Sequence, residues 1–253
     1  PIPDGAAMRE TIEDLNKATQ KDSGFFAETW SSLLHDSLER NEKLDEAISA
    51  ATITANFPDS SLGRDFEIVS KLIQTHELRG ANRDLFYVST GGFDTHSDVE
   101  VNLAARFNNV NASLTAFVAE LKTQGLWENV VLVESSDFAR TLTPNSGDGT
   151  DHAWGGNYFV IGGGLDGGRI LGEYPNDITD ASPLNVGRGR IIPTTPYDSV
   201  WNGVAEWMGV TSGEGLQKVC PNRDNFDSSV LFTKGDLFGA GARERERKAY
   251  LRK

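Results

Sequence analysis

Two apolar runs bracket one long amphipathic stretch, and this arrangement restricts the fold more than any other feature of the chain. Leu85-Phe86-Tyr87-Val88-Ser89-Thr90 and Val130-Val131-Leu132-Val133-Glu134-Ser135-Ser136 read as strands. Continuous apolar runs of this kind suit strands covered on both faces. Between them, from about Ser97 to Gly125, Leu103, Phe107, Val110, Leu114, Phe117 and Leu121 recur at steps of four, three, four, three and four. That is the stripe of a helix packed along one side. Strand, helix and strand together predict a right-handed β–α–β crossover. The expected fold class is therefore α/β, a largely parallel sheet sandwiched by helices, with Tyr158-Phe159-Val160-Ile161 as a third strand.

The rest of the chain divides by pattern. Residues 1–60 predict a polar helical segment, with helices over Met8 to Lys21 and Phe25 to Ala50. Pro58 and Gly63 mark a loop before a further helix from Asp65 to Leu78. Residues 61–226 are expected to form the α/β core. Within it, Thr195-Pro196 opens another helix, with Thr as cap and Pro at its first position, and Gly209 closes it. Residues 227–253 read as a charged tail, dense in Arg, Glu and Lys from Ala240 onward.

Composition excludes several partners. A net charge of −13 and a pI near 4.7 argue against nucleic acid and anionic lipid. Cys220 is the single cysteine, which leaves no intrachain disulfide and no cysteine-based zinc cluster. No run approaches the roughly 20 apolar residues of a membrane span. Pro1-Ile2-Pro3-Asp4-Gly5 has neither the basic head nor the apolar middle of a secretory signal, and a chain that opens on Pro1 rather than Met reads as processed or cut, as after removal of a signal.

Each apolar run empties into a loop of metal-ligand types, where functional groups of open α/β sheets gather. Gly91-Gly92-Phe93-Asp94-Thr95-His96 follows the first and Asp137-Phe138-Ala139-Arg140 the second. Gly149-Thr150-Asp151-His152-Ala153-Trp154 forms a third cluster. The chain has four histidines, and His96 and His152 both lie in these loops beside an aspartate. His35 and His76 sit on predicted helices and read as surface or packing residues. Asp94-x-His96 is open to two readings: a helix-capping Asp with a packed His, or mixed oxygen and nitrogen ligands suited to zinc, iron or manganese better than calcium. Arg140 faces either a structural carboxylate or an anionic substrate group. Three such clusters together point to a metal-centred hydrolase site, with Asp94, His96, Asp137, Asp151 and His152 as ligands. The Gly162–Gly168 segment lacks a phosphate-loop Lys-Ser/Thr and Rossmann spacing, and no Gly-x-Ser-x-Gly elbow is present.

Five motifs in order carry a family resemblance: Phe86 to His96, Ser136-Asp137-Phe138-Ala139-Arg140-Thr141, Thr150 to Asn157, Gly187 to Thr195 and Pro221-Asn222-Arg223. They resemble the family catalogued as domain of unknown function 1501, over roughly residues 65–226. The resemblance implies a distant relation to the alkaline phosphatase and sulfatase superfamily, an α/β/α sandwich, export, and metal-dependent hydrolysis of phosphate or sulfate esters. By the same resemblance Asp94 and His96 contribute to one metal, Asp151 and His152 match a late histidine segment, and Arg140 holds the substrate anion. Phe138 stands where the superfamily has a histidine after the Asp, which removes a ligand of a second metal. Ala139 and Ala153 stand where glycine is more usual. No nucleophile-bearing segment is found before Leu85, so the chain resembles the C-terminal part of a longer domain, with that segment or a partner chain lacking. The alternative reading is a non-catalytic structural or binding protein that retains the fold, with a protein rather than a small anionic ester as partner.

Overall fold

The computed structural model describes residues 5–17 and 24–239. It divides into two compact units, Pro1–Thr54 with Glu67–Phe86, and Ala55–Phe66 with Tyr87–Lys253.

The first unit is helical. α1 (Gly5–Asn16) and α2 (Gly24–Ala50) pair through Arg9 with Glu42, Glu13 with His35, and Asn16 with Trp30. As the α1 number rises the α2 number falls, so the two helices run antiparallel. The sequence expects α1 to reach Lys21, and residues 18–21 lie outside the described ones. Phe25, Phe26 and Trp30 are exposed, so the apolar positions of α2 are more open than its periodicity suggests. α3 (Ser61–Gln74) belongs to both units. The Gln74 side chain bonds both backbone groups of Thr52 (2.7 and 3.0 Å).

The second unit corrects the expected fold class. It contains no parallel sheet among the described residues. β1 (Val131–Val133) pairs antiparallel with β4 (Val160–Gly162), with Val131 opposite Gly162 and Val133 opposite Val160. β2 (Ala139–Arg140) pairs antiparallel with β3 (His152–Ala153). The run from Leu85 to Thr90 forms no strand, and Leu85 and Tyr87 are 85% and 92% exposed. A parallel crossover needs two strands paired in the same direction. Without a strand at 85–90, α4 (Val99–Thr123) joins a loop to β1 rather than one strand to the next. An apolar run alone does not say what will pair with it.

α4 follows its stripe in part. Phe117 and Leu121 are buried, and Phe117 packs on Phe66 with ring centroids 4.9 Å apart. Phe107 stays exposed beside Phe93. Glu120 is buried on the same helix, where its carboxylate accepts from the Ala55 backbone (2.8 Å) and the Gln124 amide (2.9 Å). These bonds offset the cost of taking the charge out of water.

The core lies against β1. Val204, Leu237 and Phe238 are buried there, with Val131, Val133, Leu165 and Trp207 packed around them. α5 (Tyr197–Trp207) supplies Val204 and stacks Trp207 on Phe238 at 5.1 Å. Pro196 takes the cap position expected of Thr195. Buried polar residues of α5 fasten the chain that follows: Ser199 donates to the Val230 carbonyl and Asn202 to that of Phe232. Residues 228–238, read from sequence as the start of the tail, thus add Leu231, Leu237 and Phe238 to the core. The charged stretch from Ala240 onward lies outside the described residues. α6 (Gly213–Val219) leads to Cys220, which is buried. None of the described helices is long and apolar enough to cross a membrane.

α7 (Lys234–Phe238) carries two of these core residues and is only five residues long, so its cap matters. The Thr233 hydroxyl accepts from the Asp236 backbone, and the Asp236 carboxylate accepts from that of Thr233 (2.7 Å). Thr233→Ala is expected to lower stability by about 1 kcal/mol in chemical denaturation. The Thr233 backbone and hydroxyl hold the Asp236 carboxyl below its usual range. A depressed carboxyl stabilises above the unfolded value of about 4 and loses that contribution as pH falls through the folded one. Asp236→Asn should therefore cost stability near neutrality, and its difference from wild type should shrink on acidification.

Candidate metal centre

Three loops meet at one end of β2 and β3. The ladder sets Arg140 directly opposite His152. Thr141 and Asp151 continue the contact, with the Thr141 backbone donating to the Asp151 carbonyl (2.9 Å) and the Asp151 backbone to the Thr141 hydroxyl (3.0 Å). The 94–96 loop is then pinned against both. The Thr95 carbonyl accepts from the Thr150 backbone and from Arg140 Nη2, each at 3.0 Å. The His96 carbonyl accepts from the Asn145 amide (2.9 Å). Gly149 is required here, because a Cβ at that position would overlap the His96 carbonyl.

This packing brings together Asp94, His96 and His152. Asp94 Oδ1 stands 3.0 Å from Nε2 of each histidine, and the two Nε2 atoms are 3.1 Å apart. All three side chains are about half exposed (51%, 49% and 57%), so the triangle is open to solvent. Donors 2.0–2.1 Å from a common zinc-sized ion stand about 3.3 Å apart in a tetrahedron and about 2.9 Å apart in an octahedron. The observed edges fall between these values. The residues present therefore fit one divalent ion of the nitrogen- and oxygen-binding kind.

The other expected ligands fall elsewhere. Asp151 sits behind His96, with Oδ1 3.3 Å from Nδ1, the ring nitrogen turned away from the triangle. Its Oδ2 pairs with Arg188 at 2.7 Å. Asp137 is exposed and makes no hydrogen bond or ion pair with the triangle. Phe138 lies over the His152 ring, centroids 4.5 Å apart. Asp94 does not cap α4, which starts after Asp98.

Arg140 has partners for each of its nitrogens. Nη1 bonds Asp94, Nε donates to the Thr150 hydroxyl (2.9 Å), and Nη2 donates to the Thr95 and Thr150 carbonyls. The structure sets Arg140 against a carboxylate of the fold, Asp94. Loss of solvent pushes the Asp94 carboxyl up, but the Arg140 hydrogen bond and the two imidazoles outweigh this and hold it below the usual carboxylate range. The Asn145 hydrogen bond does the same for Asp151, with Arg188 and His96 adding to it against desolvation.

Asn145 and Arg188 were not among the site residues expected from sequence. A signal for them exists. Asn145-Ser146-Gly147-Asp148-Gly149 and Asn185-Val186-Gly187-Arg188-Gly189 share the pattern Asn-x-Gly-x-Gly. The structure gives both the same loop. Each Asn Oδ1 accepts from its two glycine N–H groups at 2.9 and 3.1 Å. Asp148 and Arg188, at the fourth position, adopt left-handed backbone (φ 53° and 57°).

Fold and site together define a helical protein with short antiparallel ladders, carrying a two-histidine, one-aspartate cluster where three loops meet. The family described as "Protein of unknown function (DUF1501)" matches residues 10–187, and the chain belongs to that family. No curated protein and no solved structure matches the chain.

Proposed function

We propose that the protein is a metal-dependent hydrolase of phosphate or sulfate esters. The observation that carries this reading is the near-equilateral triangle of Asp94 Oδ1, His96 Nε2 and His152 Nε2, with edges of 3.0–3.1 Å and one face open to solvent. These three residues would hold zinc, manganese or iron, which supplies Lewis-acid chemistry toward an ester oxygen and acidifies water. Calcium fits less well, since it prefers six to eight oxygen ligands.

Charge favours an anionic substrate. The carboxylates of Asp94 and Asp151 are balanced by Arg140 and Arg188. A divalent ion then leaves the cluster cationic, which draws in a phosphate or sulfate group. Arg140 orients Asp94 and offsets its charge. Phe138 covers one face of His152 and offers no ligand there, so the reading is a one-metal site. Water is the proposed nucleophile. Thr95 is buried (4% exposed) and the Thr150 hydroxyl is engaged by Arg140, so neither hydroxyl is placed for attack.

One observation favours a second reading, a non-catalytic cation-binding protein: Arg140, expected to hold the substrate anion, already makes four hydrogen bonds within the fold. Turnover separates the two. Chelator-stripped protein is loaded with zinc or manganese and offered 4-nitrophenyl phosphate and 4-nitrophenyl sulfate. Hydrolysis of either that needs the ion and disappears in His96→Ala is the expected result. An ion that binds stoichiometrically without turnover of either ester would establish the second reading instead.

A further inference from the structure

We infer that Asp151 is a positioning residue, held by two copies of one loop, which places the proton of His96 so that Nε2 is free to bind metal. The inference rests on the metal site proposed above and assigns Asp151 a place behind it rather than in it.

A neutral imidazole carries one proton, on either ring nitrogen. His96 faces a carboxylate at each: Asp94 at Nε2 (3.0 Å) and Asp151 at Nδ1 (3.3 Å). With the proton on Nε2, that nitrogen has no lone pair for an ion. With the proton on Nδ1, the Nε2 lone pair points toward Asp94 and His152. Asp94 Oδ1 already accepts from Arg140, which weakens it as an acceptor for His96. Asp151 has no other imidazole to serve.

Asp151 is also fixed in place. The first Asn-x-Gly-x-Gly loop supplies Asn145, whose amide approaches Oδ1 at 3.4 Å. The second supplies Arg188, whose Nη1 meets Oδ2 at 2.7 Å. Left-handed backbone is unfavourable for any residue with a Cβ, yet Arg188 adopts it, and the same turn delivers its guanidinium to Asp151. A carboxylate behind a metal-binding histidine fixes the tautomer and raises ligand basicity, and its removal costs roughly 10–100-fold in metal affinity.

The experiment uses the whole protein with histidine labelled in nitrogen-15. Long-range proton–nitrogen correlations on metal-free protein report which His96 nitrogen carries the proton, and calorimetric titration with zinc reports affinity. Wild type should show the proton on Nδ1. Asp151→Ala should move it to Nε2 and raise the zinc Kd about 10–100-fold. Asp151→Asn keeps an acceptor without the charge and should fall between the two. Arg188→Ala, on an exposed loop, should weaken zinc several-fold and provides the test if Asp151→Ala does not fold. A wild-type proton on Nε2, or a tautomer and Kd unchanged in Asp151→Ala and Arg188→Ala, overturns the inference and leaves the metal site standing. A tautomer that responds as expected in a protein that binds no zinc supports the positioning role and removes the hydrolase reading instead.

Discussion

His152→Ala should reduce bound zinc or manganese from about one ion per chain to background, as read by elemental mass spectrometry after dialysis. The substitution removes one corner of a three-donor site. The two remaining donors, Asp94 and His96, come from a single loop and leave the ion open on the other side. No neighbour replaces the lost imidazole, since Asp137 is outside the cluster and Asp151 lies behind His96. His35→Ala is the matching control. That histidine meets Glu13 in the helical unit (3.3 Å) and should leave metal content unchanged. Equal metal in wild type and His152→Ala would remove the metal site from consideration.

Arg140→Ala should be the most destabilising change at the site. One guanidinium joins the Asp94 carboxylate, the Thr95 carbonyl and both oxygens of Thr150. The ladder beneath it has only two residues in each strand, too short to be stable by itself. A hydrogen bond to a charged group is worth about 1.5–3 kcal/mol, and the one to Asp94 is discounted because that carboxylate is half exposed. The expected loss is about 2–4 kcal/mol in urea unfolding. Arg140→Lys should recover little of it, because an ammonium cannot reproduce the planar fork that reaches three directions. A loss under about 1 kcal/mol would mean that the loops hold together without the clamp.

Much of the helical structure was legible because its signal is local. The stripe from Leu103 to Leu121 marks α4 within two residues of its observed ends, and Thr195-Pro196 marks the start of α5 within one or two. The sheet was not legible in the same way. Leu85 to Thr90 and Val130 to Ser136 look alike as apolar runs, yet only the second contains a strand, and its partner lies beyond a hairpin rather than across a crossover. Pairing depends on residues far along the chain, which a local pattern does not report.

The site divides along the same line. Asp94, His96 and His152 stood out as ligand types in glycine-rich loops. Whether a given Asp turns toward the shared point depends on the packing of the loops. That packing brings in Asp94, sets Asp151 one ring nitrogen away and leaves Asp137 in solvent. Arg140 stands out by its charge, but two of its four bonds go to backbone carbonyls, which no sequence pattern displays.

The two imidazoles that meet at 3.1 Å belong to residues 56 positions apart. An ion gripping both would close a loop of that length and act as a removable cross-link. Restricting the unfolded chain over such a loop is worth on the order of 4 kcal/mol by the chain-entropy estimate used for disulfides. This chain has one cysteine, and it is buried, so it has no covalent staple of its own. Its resistance to unfolding would then follow the supply of metal: a chelator releases the tie, and returning the ion restores it.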